Sequence, residues 1–279
     1  MSELKQIEPE RKALPVVERQ RKVLDLCCYA LLFLSIACFA GIRFHLRHVP
    51  LERDGGEYAY MGQLMLQGVP PYKLASNMKL PGTYAAYAVM MAVFGETPAG
   101  IHVGVIVVTS LSAIFLFLIG KRLYGPLTGS VAAASYVSFA ARPGVLGIDG
   151  QATHFVVVMA LAGIWLLLCA MPTEKTTSPE NSRHFARVSL LFTSGLCFGL
   201  SFLMKQPGIL FAVFAGAYWL YCQRKLPWRI LLTGAAALIV GILTPYAITC
   251  LIMLKLGVFH NFWFWTWTYA RQYAGLTDL

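Results

Sequence analysis

The sequence predicts an all-α, polytopic membrane helical bundle of about seven transmembrane helices, with juxtamembrane helices in its first outer loop. Three observations carry this reading. Of 279 residues, 57% are hydrophobic and only 13% charged, with a mean hydropathy of +0.62, whereas a soluble domain carries about 25% charged residues. The apolar residues form runs long enough to cross the roughly 30 Å hydrocarbon core as helix. The charged residues gather between those runs, so the net charge of +10 reads as membrane topology and no nucleic-acid partner is expected. Seven cysteines all fall inside apolar runs, without a Cys-x-x-Cys pair, and read as small buried hydrophobes.

Taken in order, residues 1–22 are polar and basic, with no cleavable leader pattern, and read as a weakly ordered or interfacial cytoplasmic N-terminus. Residues 26–43 make the first span, with Asp25 at its cytoplasmic edge and Arg43 snorkelling at the other. An outer loop follows over 44–99. Within it, 55–67 has helical character, with Tyr58, Met61 and Met65 on one face, and Gly68 with Pro70-Pro71 stops it. It reads as a helix lying on the membrane. Residues 81–95 are apolar, bounded by Pro81 and Gly95, but give only about 22 Å of helix. The later spans are 100–120, 126–142, 154–171, 188–204, 208–222 and 230–254.

Charge decides whether 81–95 crosses. If it does not, the N-terminus, Lys121-Arg122 and the loops 172–187 and 223–229 lie in the cytoplasm and hold 14 of the 23 Lys and Arg. If it crosses, the cytoplasmic share falls to 10. The first arrangement satisfies the positive-inside rule. It makes 81–95 a shallow helix, 23–254 the membrane module, and 255–279 an outer aromatic segment that continues in a longer chain. It also sets Asp54, Glu57, Lys79, Asp149, Lys205 and Arg271 on one outer side.

These residues are the candidates for chemistry. Asp54 and Glu57 have the spacing of a capping box, with Asp54 as N-cap and Glu57 reaching back; a carboxylate so held is also rigid enough for catalysis. Lys79, just before Pro81, either snorkels to lipid headgroups or joins a helix N-terminus in holding a phosphate. Asp149 caps the next helix or contributes to a site, and His154 sits at the interface. Lys205 lies in a tight turn, where an ionisable group must face water, a partner or a cavity. The aromatic run from Asn261 to Arg271 forms an interfacial belt, or else a surface for a sugar or a prenyl chain. His45 and His48 lack a third ligand, so neither metal nor cofactor is expected.

In order and spacing, Arg53-Asp54-Gly55-Gly56-Glu57-Tyr58-Ala59, Lys79-Leu80-Pro81-Gly82-Thr83-Tyr84, Gly120-Lys121-Arg122-Leu123-Tyr124-Gly125, Asp149, Met204-Lys205 and the run to Arg271 form one pattern. It resembles the GT-C superfamily of integral-membrane glycosyltransferases, near the protein O-mannosyltransferases and the lipid A aminoarabinose transferases. The resemblance implies inverting transfer of a sugar from a polyprenyl-phosphate donor to a hydroxyl of a lipid, glycan or protein acceptor, on the extracytoplasmic side of a cell membrane. It implies Asp54 as the catalytic base. Lys79, Asp149, Lys205, Arg271 and Glu57 would bind substrate or lipid phosphate. The pattern departs from the superfamily where Gly55 follows Asp54 and where Glu57 replaces a basic residue. Such enzymes also continue beyond the seven-helix module, so a truncated, non-catalytic homologue acting as a lipid-binding or partner subunit is the alternative. A transporter is disfavoured, because no inverted pair of broken helices and no mid-span acid is present.

Overall fold

The computed structural model describes residues 4–142, 150–171 and 180–276, and among them it is all helix. The main helices are α1 (Leu4–His45), α2 (Arg53–Leu66), α3 (Gly82–Phe94), α4 (Pro98–Tyr124), α5 (Pro126–Ala140), α6 (Ala152–Ala170), α7 (Glu180–Met204), α8 (Ile209–Gln223) and α9 (Trp228–Lys255). After α9 come a short α10 (Phe259–Trp263), a π-helical segment (Phe264–Tyr269) and α11 (Ala270–Leu276).

Two features of α1 differ from expectation. The polar N-terminal stretch is not separate from the first span, because helix runs unbroken from Leu4. Its Lys, Arg, Glu and Gln side chains lose little freedom in a helix. Arg43 does not snorkel outward. Four residues beyond buried Phe39, it shares that inward face and is only 2% exposed.

Among the described residues, five helical stretches are long and apolar enough to cross a membrane: Glu18–His45, Pro98–Tyr124, Ala152–Ala170, His184–Met204 and Trp228–Lys255. This is a multi-pass membrane protein. The expected count of seven also needs α5 and α8, which have 15 residues each, or about 22 Å, so helix length alone does not confirm it.

Helices α6, α7 and α9 pack side by side, with α8 against α7, while α1, α4 and α5 form a second group joined to the first through α4 and α6. Between α7 and α9 the backbones meet: a Cβ on Gly195 would lie 2.9 Å from the Cα of Gly241. Hydroxyls reach from α7 to α6, Ser194 donating to the Gly163 carbonyl at 2.7 Å and Ser201 to that of Val156 at 3.1 Å. In lipid, small residues and interhelical hydrogen bonds of this kind hold helices together.

One end of the bundle is elaborated. His102, near the start of α4, contacts the Val49 carbonyl at 3.0 Å, and Gln151, just before α6, donates to Glu52 at 3.0 Å. The Tyr87 hydroxyl donates to the Gly150 carbonyl at 2.7 Å. Helix α3 begins against the end of α7, where Thr83 donates to the Met204 carbonyl at 2.8 Å. A Cβ on Gly82 would lie 2.5 Å from the Leu203 carbonyl oxygen, so only glycine fits there. At its other end Gly95 turns the chain into α4 with φ +97°, in the left-handed region that favours glycine. Both ends of α3 therefore lie at this end of the bundle. A core of Tyr58, Met61, Tyr72, Leu80, Tyr84, Tyr87, Val105, Phe155 and Phe262, among others, fills the space beneath.

Candidate functional site

The site grows out of the first turn of α2 and the loop before α3. Glu52, not Asp54, is the N-cap: its carboxylate accepts from the Asp54 backbone N–H at 3.1 Å. The expected capping box is therefore absent. Because capping falls to Glu52, the carboxylates of Asp54 and Glu57 both turn to the same lysine. Lys79 Nζ lies 3.3 Å from Asp54 Oδ2 and 3.8 Å from Glu57 Oε2. The three side chains are 24–31% exposed, so they meet water without being open to it. Arg53 approaches Asp54 from solvent at 3.7 Å, but its side chain is 93% exposed, and such a pair adds little.

The loop is bolted in place. Asn77 Nδ2 donates to Glu57 Oε1 at 2.7 Å while its Oδ1 accepts from the Met78 N–H at 2.6 Å. Gln206, after α7, donates to the Met78 carbonyl at 3.0 Å, and the Tyr72 hydroxyl donates to the Lys79 carbonyl at 2.7 Å. Lys79 Nζ also stands 4.5 Å from the centre of the Tyr58 ring, a cation–π distance. Tyr58 in turn meets Tyr84 and Tyr87, with ring centres 6.1 and 5.4 Å away.

Charge states follow from these neighbours. Burial works to lower the Lys79 pKa, but Tyr58, Glu57 and Asp54 together outweigh it, so the ammonium is held above the usual lysine range. Burial raises the Tyr58 phenol despite the opposing pull of Lys79. Burial, then the Glu57 charge, raises the Tyr84 phenol. At neutral pH the Lys79 ammonium thus stands beside the neutral phenols of Tyr58 and Tyr84.

Of the residues singled out from sequence, the structure brings Asp54, Glu57 and Lys79 together. Lys205 is exposed in the turn between α7 and Ile209, beside Gln206, and forms no ion pair among the described residues. Arg271 is also outside the cluster. With Tyr246, Trp263, Trp267, Thr268 and Gln272 it lines a separate cavity of about 630 Å³. Trp267 donates to the Tyr246 hydroxyl at 2.8 Å, and Tyr246 and Phe262 pack in sequence toward Tyr72. Asp149 lies outside the described residues. His154 is half-buried, its Nε2 enclosed and without a hydrogen bond among the described residues. Sequence reading missed the parts played by Glu52, Asn77 and Tyr72. Their only sequence signal is proximity to Asp54 and Lys79, since each acts through a backbone path that no local pattern encodes.

Comparison with known proteins bears on the same segment. The family model for dolichyl-phosphate-mannose-protein mannosyltransferase matches residues 79–249, beginning at Lys79. The chain is 31% identical over 246 residues to an undecaprenyl phosphate-alpha-4-amino-4-deoxy-L-arabinose arabinosyl transferase of Pseudomonas paraeruginosa, covering 81% of this chain and 42% of that protein. It is equally similar to the protein of the same name from Pseudomonas aeruginosa strain UCBPP-PA14. A second such transferase from Pseudomonas fluorescens is 29% identical over 233 residues, covering 80% of this chain and 40% of that protein. The chain thus spans less than half the length of the curated relatives it matches. No solved structure matches it. The family match begins at the lysine that organises the site and extends through most of α9, and on that breadth the chain belongs to the dolichyl-phosphate-mannose-protein mannosyltransferase family.

Proposed function

We propose that this chain carries the donor site of a membrane glycosyltransferase, which moves a sugar from a polyprenyl phosphate to an acceptor hydroxyl at the extracytoplasmic surface, with inversion. The observation that carries the reading is the Lys79 ammonium held 3.3 Å from Asp54. The names of the relatives, which specify an undecaprenyl phosphate sugar, support the donor class.

The chemistry balances with these residues. The acceptor oxygen attacks the anomeric carbon on the face opposite the phosphate and its proton passes to Asp54. The bond from the anomeric carbon to the phosphate oxygen breaks, and its electron pair leaves with the polyprenyl phosphate. The donor phosphate carries one negative charge as a diester and a second as it departs. Lys79 therefore binds the transition state more tightly than the bound donor, which is what lowers a barrier. An arriving phosphate also competes with Asp54 for the ammonium and releases the carboxylate for the acceptor. Helices α2 and α3 lie along the outer membrane surface in this reading, and Lys205 and Arg271 extend the site toward the lipid.

The test is transfer of radiolabelled sugar from polyprenyl-phosphate donors in membranes, with expression matched across variants. Loss in both Asp54→Asn and Lys79→Ala supports the proposal. Full activity in Asp54→Asn removes Asp54 as base. A parent chain that binds donor but never turns over supports the second reading, a lipid-binding partner subunit.

A further inference from the structure

Tyr72 has φ +64°, the one non-glycine residue in the left-handed region among those described. A tyrosine adopts that conformation at a cost in free energy, and such strain persists only where the surroundings over-determine it. Here they do. Pro70 and Pro71 fix the backbone immediately before it. The residue is only 2% exposed, and its ring packs edge-on against Tyr84 and Phe262, with centres 6.4 and 5.6 Å away. Its hydroxyl donates to the Lys79 carbonyl at 2.7 Å, and its own carbonyl accepts from Asn261 Nδ2 at 3.1 Å. A glycine would adopt the backbone freely but would supply neither the ring nor the hydroxyl.

We infer that Tyr72 is a positioning residue for Lys79. Its hydroxyl fixes the Lys79 backbone, its ring fixes the hydroxyl, and Asn261 fixes the strained peptide that aims the ring. The segment following α9 thereby sets where the Lys79 ammonium stands between Asp54 and an incoming phosphate. This inference rests on the reading of Lys79 as the ligand of the donor phosphate, and the test separates the two.

The experiment compares the full chain with Tyr72→Phe, which keeps the ring and removes only the donor. The first readout is the acetylation rate of Lys79 by trace acetic anhydride, followed by mass spectrometry and normalised to exposed Lys73. The expected result is labelling about fivefold faster at Lys79, the factor one hydrogen bond supplies, with a thermal midpoint lowered by only a few degrees. An unchanged rate overturns the inference, whatever the protein binds. Tyr72→Gly relieves the strain but loses the anchor and should label faster still; wild-type labelling in that variant would also overturn it. If Tyr72→Phe does not fold, Asn261→Ala cuts the other end of the same linkage and the same comparison decides.

The second readout is binding of undecaprenyl phosphate. Tyr72→Phe should weaken it about fivefold, and should weaken it no further in a Lys79→Ala background, since both act through one group. Equal weakening in both backgrounds would mean that Tyr72 acts independently of Lys79 and overturns the inference. Faster labelling at Lys79, together with binding that Lys79→Ala leaves intact, would uphold the positioning role and discard the phosphate reading.

Discussion

At the scale of residues, Asp54, Glu57 and Lys79 predict distinct outcomes. Asp54→Asn keeps size and hydrogen-bonding capacity but cannot accept a proton. Transfer should fall by about 10²–10⁴-fold, while the thermal midpoint barely moves, because a partly exposed ion pair contributes at most about 1 kcal/mol. A large drop in stability with little loss of rate would assign Asp54 to structure instead. Glu57→Gln retains the bond to Asn77 and one of the two carboxylates facing Lys79. It should therefore be much milder, read as a modest rise in donor KM. The pH dependence has a definite sign. A lysine whose folded pKa is raised contributes stability in full below its unfolded value and loses it as pH rises through the folded value. The contribution of Lys79 should thus hold flat from pH 7 up to its ordinary 10.5 and fall above it, as pH rises through the raised folded value. Donor binding followed against pH checks this; a fall centred near pH 8 would contradict it. Sequence made Asp54 and Lys79 legible as groups on one side of the membrane. It misassigned the cap, because Asp-x-x-Glu fits the box pattern wherever it occurs. The helix starts one residue before Asp54 because the Glu52 carboxylate was there to take the first free N–H.

At the scale of elements, α2 and α3 were legible in extent, each ending near a Gly or Pro signal, because such signals act locally. Their mutual packing was not, since it depends on contacts far apart in sequence. Glu52 both caps α2 and ties it to Gln151 before α6. Glu52→Ala should cost about 1 kcal/mol, measured as a lowered thermal midpoint, with a further loss of activity as the first turn of α2 loosens. Gly82 predicts a stronger effect. Any side chain there meets the Leu203 backbone, which cannot move aside as a flexible side-chain tip would. Gly82→Val should destabilise by about 1–3 kcal/mol and should weaken donor binding, because α3 carries the Lys79 loop with it. A midpoint equal to wild type would show that α3 can slide away from α7. The π-helical turn over Phe264–Tyr269 had no counterpart in the sequence reading, because its aromatic residues suit an ordinary α-turn equally well.

For the whole molecule, hydropathy and charge predict a topology with the Lys79 end outside. A cysteine introduced at exposed Ser76, in a protein otherwise free of cysteine, should react with a membrane-impermeant maleimide added to intact cells. Reaction only after permeabilisation would reverse the orientation. The all-α membrane architecture was legible because lipid leaves the backbone few choices. The number of spans was less so. Segments α5 and α8 match the expected crossings to within two residues, yet at 15 residues each they are shorter than the hydrocarbon core, so length leaves the count of seven unconfirmed.

The anchoring of the Lys79 loop also has a consequence for the order in which the protein is made. Asn77 finds Glu57 among residues already synthesised, but Met78 waits for Gln206, Thr83 for Met204, and Tyr72 for Asn261, 189 positions later. Closing such distant contacts is the slow part of folding. The loop emerges early and is fastened last, so a nascent chain released between Thr83 and Asn261 would carry Asp54, Glu57 and Lys79 and still lack the final clasp.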